Sequence, residues 1–310
     1  MASAFAIQVA PWGRPLLRRI EVVARSQERP VSSLHLQALL QLPRIADANG
    51  FVAADQVDVL LNELVNELPI ASEWFVCGVS SYSPKLLTFH EVGLDQAREI
   101  MSSFHYLRSP RLDGRYYGLS SSEGRLVAIC VSSPLDVEYL HNLLRLEGRD
   151  TQDARVLSRV FAFEGAPRNT ISHLMSRAAQ AERKLGVTDW VSYVNPNMGF
   201  SGVSYLASDW HLLGEQPGTT YRYLDNRYIT DRELSAKFGY HNDDTYNRVL
   251  GERFAKNRMQ LEPLLVFYRR LAQKNFVGST GEQSKQLHKL HSTTPSINRS
   301  NPELKKLIAR

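Results

Sequence analysis

Residues 187–215, VTDWVSYVNPNMGFSGVSYLASDWHLLGE, constrain the fold more than any other stretch. They open apolar and β-prone, with Val187, Trp190, Val191 and Tyr193, and break at the turn signal Asn195-Pro196-Asn197. Val203, Leu206, Trp210 and Leu213 then recur at steps of three and four, the spacing of one apolar helix face. Ser201, Tyr205 and Asp209, four residues apart, fall on a different face. The pattern predicts a strand, a turn and a short amphipathic helix, with a tyrosine and an aspartate off the core stripe. A helix that opens just past the carboxyl end of a strand is where α/β proteins place ligands. This unit is therefore the centre of the candidate site.

The chain around it alternates. Residues 14–25, 34–40 and 55–68 read as helices, the last with Val57, Leu60, Leu61, Leu64, Val65 and Leu68 on one face and Asp55 as N-cap. Residues 73–81 and 86–93 read as strands. A helix follows over 95–107, opened by Asp95 and ended before Pro110. Residues 116–119 and 126–131 form a hairpin around the turn at 121–124. Residues 136–150 look irregular, 156–163 form a strand, and 171–186 a helix closed by Lys184 and Gly186. Beyond the central unit, strands are expected over 219–225 and 227–234, a helix over 243–257 and a last strand over 264–271. The order gives an α/β (α+β) chain with a mixed sheet. Its expected parts are a helical region over 1–72, a main domain over 73–278 and a polar, basic tail over 279–310. The tail is expected to be disordered but for a short helix over 302–308.

Charge locates a second feature. The whole chain carries +5, but Lys285, Lys289, Arg299, Lys305, Lys306 and Arg310 against Glu282 and Glu303 put +4 of it in the tail. The body offers no charge-based case for nucleic acid. No run of eighteen apolar residues occurs, so no membrane span is expected. Cys77 and Cys130 lie in apolar runs and read as buried thiols of a cytoplasmic protein. No CxxC, HExxH, GxGxxG or Walker pattern is present, which argues against dinucleotide and nucleoside-triphosphate enzymes.

Three stretches carry a resemblance. FHYLRSP (104–110), LSRVFAF with the following AP-N (157–169), and SYVNP with GFSGVSYLASDW (192–210) resemble phage DNA-modification proteins of the Mu Mom type. These sit within the Gcn5-related N-acetyltransferase (GNAT) superfamily, and the resemblance spans roughly residues 85–240. It implies a GNAT-like mixed sheet with flanking helices, in which acetyl-coenzyme A or another CoA thioester binds between two diverging parallel strands. Its pyrophosphate would rest on the amides that open the next helix. The cofactor contacts then fall at Phe161, Ala162 and Phe163 on the strand, and at Ala166, Arg168, Asn169 and Thr170 around the helix start. The family's usual loop is richer in glycine than this one.

The resemblance also assigns roles. Tyr205 matches the tyrosine that protonates the departing thiolate. His105 and Tyr106 match an essential His-Tyr pair beside the acceptor, with the histidine as base or metal ligand. Arg159, inside an apolar strand, needs a partner, which favours an anion or carboxylate. Asn195 stands where the family often has an acidic residue, and an amide can only hydrogen-bond. Asp209 is the nearest acidic substitute. The metal implied by the resemblance alone is iron, through His105 and Tyr106. The expected function is acyl transfer from a CoA thioester to a nucleobase amine, adenine in duplex DNA with the base flipped out. An acyltransferase acting on a protein or small-molecule amine is the alternative, and a non-catalytic binding protein on the same scaffold the second.

Overall fold

The computed structural model describes residues 13–70 and 83–271, together with the backbone of 6–8. The expected strand at 73–81, Cys77, the basic tail and the helix at 302–308 lie outside the described residues. The described residues, all within 1–271, form one compact unit.

Seven strands make the main sheet: β3 (Thr88–Glu91), β4 (Arg115–Ser120), β5 (Leu126–Pro134), β6 (Ala154–Ala162), β7 (Asp189–Val194), β8 (His211–Gln216) and β12 (Leu264–Arg270). They lie in the order β3-β4-β5-β6-β7-β12-β8, and every pairing is antiparallel except β6 with β7. The mixed sheet with flanking helices is the expected fold class. β5 is buried along almost its whole length because it is central, covered on both faces. Shorter strands β9 (Arg222–Leu224), β10 (Arg227–Ile229) and β11 (Phe254–Lys256) form a second, three-stranded sheet, and β1 (Ala6–Gln8) pairs with β2 (Phe51–Ala53).

Helices α1 (Arg14–Ser26), α2 (Val31–Ile45) and α3 (Ala54–Val65) bury Leu16, Ile20, Leu34, Leu39, Val57 and Leu61 against one another. The same core continues into Met198, Tyr221, Tyr223 and Leu261. Tyr223 Oη donates to Leu40 O at 2.7 Å. The N-cap of α3 is Ala53, so Asp55 sits in its first turn and does not cap it. Helix α4 (Leu94–Ser103) ends two residues before His105.

Four more expectations need correction. Residues 136–150 are not irregular: α5 (Glu138–Leu146) buries Leu140 and Leu144, an i, i+4 pair, beneath β7 and β12. The segment DREL does not continue a strand. β10 stops at Ile229, and Thr230 with Glu233 forms a full capping box that starts α8 (Asp231–Phe238). α9 (Asp243–Leu250) follows and is shorter than expected, because β11 takes up residues from Phe254 onward. Finally, the central helix is a single turn, α7 (Val203–Leu206). Gly202 at φ +76° precedes it, and Asp209 at φ +58° turns the chain into edge strand β8. Val203 and Leu206 are exposed while Trp210 is buried, so the apolar spacing did not mark a helix face.

Candidate functional site

The crossover helix α6 (Thr170–Lys184) carries the chain from β6 to β7. It earns its place by burying Leu174, Met175, Ala178 and Ala179 on the sheet. The two strands it joins are paired only at Ala154–Val156 with Asp189–Val191. Beyond Val156 and Val191 they separate. At the fork the ladder is replaced by a side chain: Ser192 Oγ donates to Leu157 O at 2.7 Å. On the far side of β6, the register with β5 shifts between Val131 and Ser132, leaving Ser158 as an extra residue. A bulge of this kind bends a strand and re-aims its side chains, here Ser158 and Arg159 toward the gap.

The gap is a slot of about 230 Å³, lined by Leu157–Val160 and Ser192–Val194 from the two strands. His105, Tyr106 and the segment 199–205 complete it. Tyr205 stands in it, with Oη 2.9 Å from Ser192 Oγ. Because the serine proton already goes to Leu157 O, the tyrosine is the donor in that contact. Burial raises the Tyr205 pKa, so the phenol is protonated at neutral pH.

One end of the slot leads to a hollow of about 320 Å³ over the start of α6, sharing Ile171, Val203 and Ser204 with it. Ala162, Phe163, Gly165, Ala166, Asn169 and Thr170 line this hollow, whereas Arg168 is exposed and does not. Phe161 turns its ring to the other face, against Phe104 and Phe163. The Phe163 amide is taken by Val127 O at 3.0 Å. The Asn169 side chain does not cap the helix, although the residue is the N-cap, at φ +67°. Asparagine tolerates that left-handed conformation better than most residues. Asn169 and Gly165, at φ +81°, thus supply turns for which the sequence lacks further glycines. Thr170 Oγ1 donates to Pro167 O. Among the described residues the Ile171 and Ser172 amides have no acceptor, which leaves two N–H groups at the positive end of a fifteen-residue helix.

The other end opens into a chamber of about 470 Å³, which shares Tyr106, Leu157, Ser158, Arg159 and Tyr193 with the slot. Four tyrosines line it: Tyr106, Tyr193, Tyr221 and Tyr228. Its arginines are mostly neutralised. Arg111 bonds Asp113 and Asp136, Arg232 bonds Asp136, and Arg222 bonds Asp231 and Asp243. Arg159 differs. Its Nε donates to Ser109 O at 3.3 Å and its Nη1 to Ser158 O at 2.7 Å, and it has no ion pair among the described residues. Of the expected partners, an anion or a carboxylate, no carboxylate pairs with it among the described residues and carbonyls accept instead, so a nearly uncompensated cation stands where slot and chamber meet.

Burial governs His105 and Tyr106, and that cation acts second. The histidine is 3% exposed, stacked on Tyr106 at 4.5 Å between ring centroids. Desolvation, and then Arg159, hold its pKa well below 6.5, so it is neutral. Its Nδ1 accepts from the Leu107 amide at 3.2 Å, which places the ring proton on Nε2. Burial raises the Tyr106 pKa while Arg159 opposes that rise. Asn195 lies on the chamber wall, but its polar atoms are engaged: Nδ2 donates to Tyr221 Oη at 2.7 Å, and Oδ1 accepts from Asn197 N and Nδ2.

A profile of the Mom protein family matches residues 86–269, more than half of the chain. The chain belongs to the Mom protein family. No curated protein sequence matches it. Among solved structures it is similar to the ribosomal-protein-S18-alanine N-acetyltransferase from Escherichia coli, at 10% identity and a TM-score of 0.34, over 61% of this chain and 97% of that one. It is also similar to a Bacillus subtilis acetyltransferase in complex with CoA, at 12% identity and TM-score 0.32, over 60% and 99%. A third is spermidine/spermine N-acetyltransferase from Vibrio cholerae, at 10% identity and TM-score 0.35, over 66% and 98%.

Within this Mom-family chain the structure brings together His105, Tyr106, Arg159 and Tyr205 around one slot. Asn195 lies on the chamber side only. Asp209 lines neither cavity. A metal does not suit His105: its Nδ1 is occupied, the charge facing it is a guanidinium, and no cluster of three or more His, Cys, Asp or Glu with ligand geometry exists among the described residues. Sequence reasoning missed Ser192, whose position directly before Tyr193 in an apolar strand was its only signal. It also missed Tyr221 and Tyr228, which belong to the small second sheet. Among the described residues no helix is long and apolar enough to cross a membrane.

Proposed function

We propose that this protein is an acyltransferase that uses a CoA thioester to modify the exocyclic amine of a nucleobase, adenine within DNA. The observation that carries the reading is a single passage. It runs from two free amides at the α6 N-terminus, through the fork between β6 and β7, to an aromatic chamber behind Tyr106 and Arg159. Ile171 and Ser172 N–H would hold the pyrophosphate, in a hollow shaped by Gly165 and Asn169. The slot would take the pantetheine arm. The thioester supplies an activated acyl carbon at the fork.

In the chamber, four tyrosines offer flat surfaces for a base, and base–aromatic stacking contributes roughly 1–3 kcal/mol per base. Its volume falls in the range of small-ligand sites. A base in a duplex reaches such a chamber only when flipped out. The amine nitrogen forms its bond to the acyl carbon as the carbon–sulfur bond breaks. Tyr205 gives its proton to the leaving thiolate and is reprotonated, while the amine releases one proton through the open chamber to solvent. The burial that raises the phenol pKa also raises that of a thiolate formed beside it, which keeps the transfer feasible. The His105 Nε2–H and the Arg159 guanidinium supply positive character where an acyl oxyanion develops.

The test is expression of the full chain, digestion of cellular DNA and mass spectrometry of the nucleosides, with calorimetry against acetyl-CoA in parallel. A heavier deoxyadenosine that disappears in Tyr205→Phe supports the reading. Acetyl-CoA binding with unaltered nucleosides moves the acceptor to another amine. A folded protein that neither binds acetyl-CoA nor alters DNA overturns it.

A further inference from the structure

The segment from His105 to Arg108 is held in a conformation that its own residues do not favour. It buries a neutral histidine. Arg108 adopts φ +47°, uncommon for a side chain of this size. The Arg108 Nε and Nη2 are buried with no acceptor. Such features persist only where the surroundings over-determine them. Here the surroundings are the N-terminal helices, outside the residues matched by the family profile.

Two contacts do the holding. From α2, Gln37 Nε2 donates to Tyr106 O at 3.2 Å. From the turn after α3, Glu67 Oε2 accepts from Arg108 Nη1 at 2.8 Å, with both side chains more than two-thirds buried. The other Glu67 oxygen, Oε1, lies 3.0 Å from Arg227 Nη2. Arg227 precedes Tyr228, and Arg108 follows Tyr106 by two residues. One carboxylate therefore ties together the two segments that carry Tyr106 and Tyr228, both of which line the chamber. A second cavity of about 490 Å³, lined by Glu67, Arg108, Arg227, Tyr106 and Tyr228, lies behind this tie. No other side chain joins Arg108 to Arg227 among the described residues; the remaining link between the two segments is α2, whose Gln37 reaches Tyr106 O and whose Arg44 donates to Asn226 Oδ1 at 3.1 Å.

We infer that Glu67 is a positioning residue of the acceptor chamber, fixing the Tyr106 and Tyr228 walls relative to each other, so that the N-terminal helices are a working part of the transferase. The role in turnover rests on the proposed function, but the mechanical claim does not. A carboxylate that sets geometry without touching the reactants acts on transfer more than on cofactor binding, because the phosphate cradle lies at the opposite end of the slot. Displacement of a catalytic segment by about an ångström lowers rates by up to the order of a hundredfold.

The experiment compares Glu67→Gln and Glu67→Ala with Asp58→Asn. The last breaks the Arg19–Asp58 pair within the same helical unit and leaves the chamber untouched. Hydrogen exchange is read at the Leu107 and Arg108 amides, bonded to His105 Nδ1 and His105 O respectively. In Glu67→Ala both should exchange at least about tenfold faster, with the α6 amides unchanged and Asp58→Asn like wild type. In Glu67→Gln, kcat/KM for the acceptor should fall about tenfold or more, with acetyl-CoA affinity within twofold of wild type. Unchanged exchange at Leu107 and Arg108 in Glu67→Ala overturns the proposal, as does an equal loss of transfer in Asp58→Asn. If wild type modifies no nucleoside, the functional reading fails while the exchange comparison still decides the tie.

Discussion

The slot and the chamber meet at Tyr106 and Arg159 yet are made from different materials. The slot comes mainly from elements adjacent in the chain: two consecutive strands, the helix between them and a one-turn helix after them, closed by His105 and Tyr106. The chamber is gathered from seven separated stretches, including the α4–β4 loop, β6, β7 and the small sheet. A cavity of the first kind follows from topology, because parallel strands joined by a crossover helix need only lose their ladder to open. A cavity of the second kind depends on ion pairs and stacked rings that individually contribute little. The slot should therefore be sensitive to backbone space, and the chamber to the placement of particular groups.

Backbone space gives the largest expected effect. A Cβ on Gly202 would lie 2.5 Å from the Phe267 ring, at a φ of +76°. Gly202→Val should cost about 3 kcal/mol or more from overpacking and backbone strain together. Urea denaturation should show it as a lowered midpoint, with acetyl-CoA binding lost in whatever folds. A wild-type midpoint would mean that the slot wall yields, against the contrast drawn here.

A smaller effect separates chemistry from architecture within the slot itself. Tyr205→Phe keeps the ring contacts with Trp210 and Phe267 and removes one hydroxyl. Transfer should fall on the order of a hundredfold or more, while thermal stability shifts by about 1 kcal/mol, the scale of one hydrogen bond. Transfer within threefold of wild type would assign the proton to another donor.

The smallest effect sharpens the chamber side. The His105 pKa is depressed in the folded protein, so the unfolded chain binds more protons as the pH drops below 6.5. Its contribution is intact above that value and is lost on acidification towards the folded pKa. His105→Asn, which retains an acceptor for the Leu107 amide, should flatten the fall of Tm between pH 7 and 5 by on the order of a few degrees. Parallel curves for variant and wild type would show that the histidine is not held neutral by its surroundings.

The same contrast explains what the sequence made legible. Strand–loop–helix–strand over 154–194 was readable because regular elements carry periodic patterns, and the hairpin because its turn residues are local. Helix α8 is legible in principle from Thr230 and Glu233, a capping box that follows directly on the strand-like run RYI. The one-turn helix was not. The apolar steps at Val203, Leu206, Trp210 and Leu213 satisfied a helical period by coincidence, and pairing with β12 drew the last of these into an edge strand. The chamber was the least legible part. Tyr221 and Tyr228 gain their positions from packing against α2, nearly two hundred residues away in the chain, and no local pattern records that contact.

The Ser192 hydroxyl at the fork has a consequence for measure. Where a main-chain ladder would go on closing like a seam, a single side chain ends it, one residue past the last paired rung. The distance from that stop to the amides of α6 is then a fixed ruler, and under the proposed function it would gauge the thioester arm. Substituting Ser192 by a residue without a hydroxyl would leave the end of the seam unpinned and the ruler without its zero mark.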